Sequence, residues 1–105
     1  MNKIDLKGKI AVITGGAQGF GYAIAKRFIL SEANVIILDK DPTAIAEAID
    51  LKEINFSDTY EIDITNYNVV SDTIKEIINK YNQIDIFINN AGIAGPSYKT
   101  WDYPN

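Results

Sequence analysis

A glycine-rich stretch near the amino terminus, residues 14–21, is the part of the sequence best suited to ligand chemistry. It reads Thr-Gly-Gly-Ala-Gln-Gly-Phe-Gly and directly follows the apolar, β-branched run 9–13. Glycines let the backbone approach an anion, and a helix that begins there presents free N–H groups at the positive end of its dipole. This strand-to-helix turn predicts a phosphate site, although tight turns without a ligand also use glycines.

An acidic residue, Asp39, ends the next apolar run and stands 18 residues after Gly21. A carboxylate at the end of a second strand can accept hydrogen bonds from both hydroxyls of an adenosine ribose. The turn and the acid together favour a dinucleotide site over a purely structural turn. A P-loop is excluded because Tyr22 and Ala23 follow the last glycine, where that motif needs Lys and then Ser or Thr.

The composition excludes several other chemistries. The 105 residues include no cysteine and no histidine, so disulfides, thiolate nucleophiles and the commonest general base are absent, and we predict no metal site. The net charge of -4 argues against a nucleic acid or a membrane surface as a partner. The amino terminus has no apolar signal-peptide core, and no apolar run approaches the ~18 residues of a membrane span. We therefore expect a cytoplasmic protein.

Apolar runs alternate with amphipathic stretches along the chain. Strands are predicted over residues 9–13, 34–39, 59–64 and 84–90. Helices are predicted over residues 22–31 and 44–51, and along an apolar stripe from 70 to 81. Asp41 is the predicted N-cap of the second helix, with Pro42 at its first position, and Thr65 or Asn66 caps the third.

The alternation of strands and helices predicts one α/β domain over residues 1–105, with a parallel, doubly wound sheet and right-handed crossovers. In such a sheet the first four strands lie in the order 3-2-1-4. From Gly95 the pattern decays, so we expect about four strands and three helices and a domain that is incomplete at its carboxyl end. Strand 84–90 would then be an edge without lysine or proline, which predicts pairing with other chains.

The residues of two motifs follow the pattern of a known protein family. T-G-x-x-x-G-x-G, written here as Thr14, Gly15, Gly19 and Gly21, together with N-N-A-G at residues 89–92, resembles the short-chain dehydrogenase/reductase family. The likeness runs from about Leu6 to the end of the chain. Residues 6–21 look most like the branch that includes 3-oxoacyl carrier-protein reductases and sugar or polyol dehydrogenases. The resemblance implies a Rossmann-type fold that binds NAD(P).

The same resemblance implies a role for each cofactor residue. The pyrophosphate turn would be lined by Gly15, Gln18, Gly19, Phe20 and Gly21. Asp39 would bind the adenosine ribose and favour NAD over NADP, although Lys40 beside it is a cation that would partly accommodate a 2′-phosphate.

The remaining implied roles lie after the third and fourth strands. Asp63 and Ile64 would flank the adenine, Asp63 through its carboxylate and Ile64 through its backbone; a solvated acid at a strand end is the alternative for Asp63. Asn90 and the backbone near Gly92 would border the nicotinamide-side ribose. Thr14 and Asn89 are expected to brace the first strand against the fourth.

No catalytic residue is predicted within the chain. The family transfers hydride between NAD(P) and an alcohol or ketone by means of a Y-x-x-x-K pair and a serine that follow N-N-A-G. Tyr22 and Lys26 match the spacing, but they lie just behind the phosphate turn, where Lys26 would face solvent and Tyr22 would lie by the pyrophosphate. The resemblance thus implies the cofactor-binding part of an oxidoreductase whose complete form acts on a small substrate as a homo-oligomer. A non-catalytic nucleotide-binding module and a non-functional remnant are the alternatives.

Overall fold

The structure is a computed structural model that describes residues 5–90. Its elements follow one another as β1 Ile10–Thr14, α1 Gly19–Leu30, β2 Asn34–Asp39, α2 Pro42–Leu51, β3 Asp58–Glu61, α3 Tyr67–Tyr81 and β4 Ile86–Asn89. The four strands form one sheet in the order β3-β2-β1-β4, and every neighbouring pair is parallel. The predicted fold class and strand order are confirmed.

The two central strands are buried on both faces, as their continuous apolar sequences predict. Side chains that alternate along β1 divide between two cores. Ala11 and Ile13 belong to the core that α1 and α2 cover, and Val12 belongs to the core on the opposite face, where Ile77 of α3 is fully buried. Helices on both faces make the sheet doubly wound.

The starts of the helices follow local capping chemistry. The Asp41 carboxylate accepts hydrogen bonds from the backbone N–H groups of Thr43 at 3.0 Å and Ala44 at 3.2 Å, so this predicted cap is confirmed. For α3, Asn66 and not Thr65 is the cap. Helix α1 begins at Gly19, three residues before the predicted start, which places the last two glycines of the turn inside the helix.

Two strands are shorter than the sequence predicts. β3 ends at Glu61 and not at 64, because Glu61 pairs with Asp39, the last residue of β2, and later residues have no strand beside them. β4 begins at Ile86. The preceding residue, Asp85, donates its backbone N–H to the carbonyl of Ile10 at 2.8 Å, but it accepts the N–H of Ile10 on its side-chain Oδ2, also at 2.8 Å. The predicted cofactor residue Gly92 and the segment from Gly95 lie outside the described residues.

Candidate functional site

A cavity of about 390 Å³ opens at the carboxyl ends of the strands, where ligands bind in open α/β sheets. The residues that line it include six that the sequence predicts for the cofactor: Gly15, Gln18, Asp39, Asp63, Ile64 and Asn90. They come from the turn after β1, from the last residue of β2, and from the segments after β3 and β4. The parallel sheet brings them together because the carboxyl ends of all four strands lie on the same side of the sheet.

The turn between β1 and α1 has the backbone conformation that glycine permits. Gly15 has a φ of 65° and Gly19 a φ of 58°, both in the left-handed region. The backbone N–H of Gly15 donates to the carbonyl of Leu38 at 2.7 Å, which ties the turn to β2. No acidic residue stands in the first turn of α1, and the side chain of its N-cap, Gln18, makes no capping hydrogen bond. The first N–H groups of the helix are therefore suited to an anionic ligand.

Gly21, in the first turn of α1, is buried against the Gly15 turn and against Asn90 at the end of β4. A Cβ built on it would overlap the carbonyl oxygen of Gly15 and would lie 2.7 Å from Nδ2 of Asn90. Any larger residue would push the helix away from the turn. Gly21 thus acts through close packing of helix, turn and strand, whereas Gly15 and Gln18 line the cavity itself.

Asp39 lies in the cavity wall, and the residue as a whole is only 7% exposed. Its Oδ2 accepts a hydrogen bond from the backbone N–H of Ala17 at 3.2 Å, and its Oδ1 accepts one from that of Asp41 at 3.0 Å. Each carboxylate oxygen has a further lone pair. The two backbone donors therefore hold the group in one orientation and leave it able to accept from a ligand hydroxyl.

Asp63 lies across the cavity, in the turn between β3 and α3. Its Oδ1 accepts two hydrogen bonds from Thr65, from the backbone N–H at 2.9 Å and from the hydroxyl at 2.7 Å. These bonds hold the pKa of the Asp63 carboxyl below its ordinary value, and the positive charge of Lys40 adds to the effect. The group is an ionised acceptor at neutral pH.

The predicted brace between β1 and β4 is confirmed. The Thr14 hydroxyl lies 3.0 Å from Oδ1 of Asn89 and donates to it, and the two residues pair across the parallel strands. The next residue, Asn90, donates from Nδ2 to the carbonyl of Gly15 at 3.3 Å. Asn90 is thus both a wall of the cavity and a support for the glycine turn.

The pair Tyr22 and Lys26 does not belong to this cavity. The Tyr22 hydroxyl donates to Oε1 of Glu53 at 2.8 Å, and Nζ of Lys26 lies 3.6 Å from the same oxygen. The Tyr22 ring packs edge-on against Phe56. Tyr22 follows the glycine turn in sequence, but its hydroxyl is directed to the segment after α2 and not to the place expected for a pyrophosphate. Lys26, expected to face solvent, is half-buried beside Glu53.

Three residues of the cavity wall were not assigned to the cofactor by sequence: Leu38, Ile62 and Thr65. Lys40, considered only as a cation beside Asp39, also lines the cavity. Thr65 had a detectable signal, since Asp-x-Thr before a helix is a spacing at which an acid can accept from both donors of the threonine. Phe20 was predicted to line the turn, but its side chain is 78% exposed at the start of α1 and lies outside the lining of this cavity. Gly19 borders a neighbouring cavity on the other side of Gln18.

Within residues 5–90 no group of three or more His, Cys, Asp or Glu side chains is arranged to hold a metal ion. In the same range no helix combines the length and the apolar character needed to cross a bilayer.

Comparison with protein families points to the same fold and the same kind of site. A family model described as short chain dehydrogenase matches residues 9–102. The chain belongs to this family. A probable NADP-dependent mannitol dehydrogenase of Yarrowia lipolytica is 37% identical over an alignment that includes all of this chain and 38% of that protein.

Solved structures of family members share the fold. A 2-keto-3-deoxy-D-gluconate dehydrogenase from Streptococcus agalactiae matches with a TM-score of 0.76 and 30% identity, over 86% of this chain and 35% of that chain. A carveol dehydrogenase from Mycobacterium avium, solved in complex with NAD, matches with a TM-score of 0.73 and 25% identity, over 84% of this chain and 37% of that one. The chain spans well under half the length of these relatives.

Proposed function

We propose that this chain forms the cofactor-binding part of an oxidoreductase that transfers a hydride between NAD(P) and an alcohol or ketone. The observation that carries the proposal is the common cavity of Gly15, Asp39, Asp63 and Asn90. It lies at the carboxyl ends of the strands, where the family motifs meet. The residues fit a dinucleotide in two ways. The glycine turn, which has no room for a side chain at Gly21, suits the pyrophosphate. The carboxylates of Asp39 and Asp63 in the cavity wall suit the hydrogen-bond donors of the ribose and the adenine. When bound, the cofactor supplies the nicotinamide carbon that gives or takes the hydride.

The glycine turn and the start of α1 would hold the pyrophosphate, through the backbone of Gly15, Gln18, Gly19 and Phe20, with Gly21 allowing the close approach. This assignment is supported by the positive φ of Gly15 and Gly19 and by the absence of acids from the first turn of the helix. Phe20 contributes through its backbone N–H, since its side chain extends into solvent.

Asp39 would accept hydrogen bonds from the adenosine ribose and favour NAD over NADP. A 2′-phosphate would meet a like charge on a carboxylate that is nearly buried and held by two backbone donors. Lys40 on the same wall opposes this preference. The mannitol dehydrogenase relative is described as NADP-dependent, whereas the carveol dehydrogenase was solved with NAD, so we expect Asp39 and Lys40 to set the choice in this protein.

Asp63 and Ile64 would flank the adenine, and Asn90 with the backbone near Gly92 would border the nicotinamide-side ribose. By the family resemblance, the proton that accompanies the hydride would be exchanged with the tyrosine of a Y-x-x-x-K pair that follows N-N-A-G. Tyr22 and Lys26 are not that pair, because they contact Glu53 outside the cavity. The proposal includes a cytoplasmic, homo-oligomeric protein that acts on small polyols, sugars or related ketones.

The test is titration of the intact protein with NAD(H) and NADP(H), followed by assays with polyols and keto-sugars. We expect micromolar-range binding of NAD(H), loss of binding in Gly21→Ala, and turnover only where the segment after N-N-A-G supplies a Y-x-x-x-K pair. For the 105-residue chain alone we expect no turnover, since the loss of acid–base catalysis costs about 10²–10⁴ in rate. Turnover by that chain that is abolished in Tyr22→Phe would contradict the proposal. Binding without turnover by the intact protein would favour a nucleotide-binding module instead.

A further inference from the structure

The backbone N–H and the hydroxyl of Thr65 both donate hydrogen bonds to Asp63, on the wall of the cavity. We infer that the Thr65 hydroxyl positions the Asp63 carboxylate so that the cavity selects adenine over a 6-oxopurine. The inference rests on the proposed dinucleotide function and adds to it a residue that sets base specificity. Thr65 acts here as a positioning residue, through Asp63.

The two hydrogen bonds from Thr65 end on the same carboxylate oxygen, Oδ1, at 2.9 Å from the N–H and 2.7 Å from the hydroxyl. Two donors on one oxygen hold that oxygen in place and so restrain the orientation of the short Asp63 side chain. Its other oxygen, Oδ2, is then the acceptor that we expect to face a ligand. Without the hydroxyl a single backbone bond remains, and the exposed carboxylate is free to rotate toward solvent.

The two purines differ at the position that an acceptor reads. Adenine carries an exocyclic amine, which donates hydrogen bonds, whereas hypoxanthine carries a carbonyl oxygen at the same carbon. An ionised carboxylate is an acceptor only, so it attracts the amine and repels the carbonyl. The bonds from Thr65 also lower the pKa of Asp63, which keeps the carboxyl ionised at neutral pH.

The turn itself does not depend on the Thr65 hydroxyl. The backbone carbonyl of Asp63 accepts a hydrogen bond from the N–H of Asn66 at 3.0 Å, and the Asn66 side chain caps α3 by accepting from Val69 at 3.3 Å. These contacts remain when the hydroxyl is removed. A change at Thr65 that keeps its backbone N–H should therefore alter the orientation of Asp63 and leave the fold intact.

The experiment measures binding of NAD and of nicotinamide hypoxanthine dinucleotide by calorimetry on the intact protein and on three variants. Thr65→Val removes the hydroxyl and keeps the shape, Thr65→Ser restores the hydroxyl, and Thr59→Val is the matched control in β3, outside this cavity. In Thr65→Val we expect NAD affinity to fall about three- to tenfold, the effect of one hydrogen bond. Affinity for the hypoxanthine dinucleotide should stay within about twofold of wild type, so the preference for adenine shrinks. Thr65→Ser should recover the preference, and Thr59→Val should retain it.

The outcomes separate this inference from the function on which it rests. Equal losses for both dinucleotides in Thr65→Val, with a lowered melting temperature, would assign Thr65 a purely structural role and overturn the inference. An unchanged preference in Thr65→Val, or no preference for adenine in wild type, would also overturn it and leave the dinucleotide function standing. If wild type bound neither compound, the proposed function would fail and the inference with it.

Discussion

The carboxylate of Asp39 accepts a hydrogen bond at 3.2 Å from the backbone N–H of Ala17, in the turn between β1 and α1. The residue expected to recognise the adenosine ribose thus also supports the turn expected to hold the pyrophosphate. Because the second oxygen accepts from the N–H of Asp41 at the start of α2, one nearly buried side chain links three segments around the cavity. Substitution of Asp39 should therefore affect both stability and binding.

Asp39→Ala is expected to weaken NAD binding by about 1–3 kcal/mol, the range for lost charge-assisted hydrogen bonds. It should also destabilise the fold, since the buried N–H of Ala17 loses its acceptor. Calorimetric titration and thermal unfolding measure the two effects. Asp72→Ala, at an exposed position of α3, is the control that should change neither. Tighter binding of NADP(H) than of NAD(H) by wild type would show that Asp39 does not set the cofactor preference.

Gly21→Ala is expected to cost about 1–3 kcal/mol of stability and to abolish cofactor binding. The added Cβ would overlap the carbonyl of Gly15 and displace α1 from the turn. Gly8→Ala is the matched control: Gly8 has a φ of +76° and open space around it, so the substitution introduces backbone strain far from the cavity. Thermal unfolding and NAD titration should show a stability loss in both variants and a binding loss only in Gly21→Ala. Normal NAD affinity in a folded Gly21→Ala protein would contradict the packing role.

Alkaline pH is expected to destabilise the protein between pH 10 and 12. Burial, together with hydrogen bonds to carboxylates, raises the pKa of Tyr22, Tyr60 and Tyr81 from 10.0 to about 12. The folded state therefore holds these protons more tightly than the unfolded state, and this stabilisation is complete below pH 10 and lost as pH rises through 12. Urea unfolding across this range measures the effect.

The double variant Tyr22→Phe/Tyr81→Phe should flatten this alkaline slope, because it removes two of the three hydroxyls. Tyr67→Phe alters a tyrosine that is 81% exposed and should leave the slope as in wild type. A slope that is the same in wild type and in the double variant would show that other groups cause the alkaline loss.

The isolated 105-residue chain is expected to self-associate, or to lack cooperative unfolding, because β4 is an edge of the sheet formed by the described residues. Its Phe87 side chain is 46% exposed, and the free backbone groups of an edge strand can pair with another chain. Phe87→Lys should reduce the association, since a charge on an edge strand opposes pairing. Size-exclusion chromatography with light scattering measures this. A wild-type monomer with a sharp thermal transition would refute the expectation.

Much of the architecture could be predicted because its causes are local. The unbroken apolar runs of β1 and β2 require burial on both faces, and Asp41 followed by Pro42 is sufficient to begin α2. The ends of β3 and β4 could not be predicted in the same way. β3 ends where its neighbour ends, at Asp39. Before β4, the N–H of Ile10, which is distant in sequence, binds the side chain of Asp85 and not a backbone carbonyl.

For the candidate site, the sequence by itself determined the residue types: a glycine turn before a helix, an acid at the end of the second strand and another after the third. Only the tertiary structure decided what each does. It gave Asp39 the backbone N–H of Ala17 as a donor, made Gly21 a packing position against Gly15 and Asn90, and directed the Tyr22 hydroxyl to Glu53. The physical reason is that motifs and caps depend on neighbours along the chain, whereas a side chain's orientation depends on groups that only the folded sheet brings within hydrogen-bonding distance.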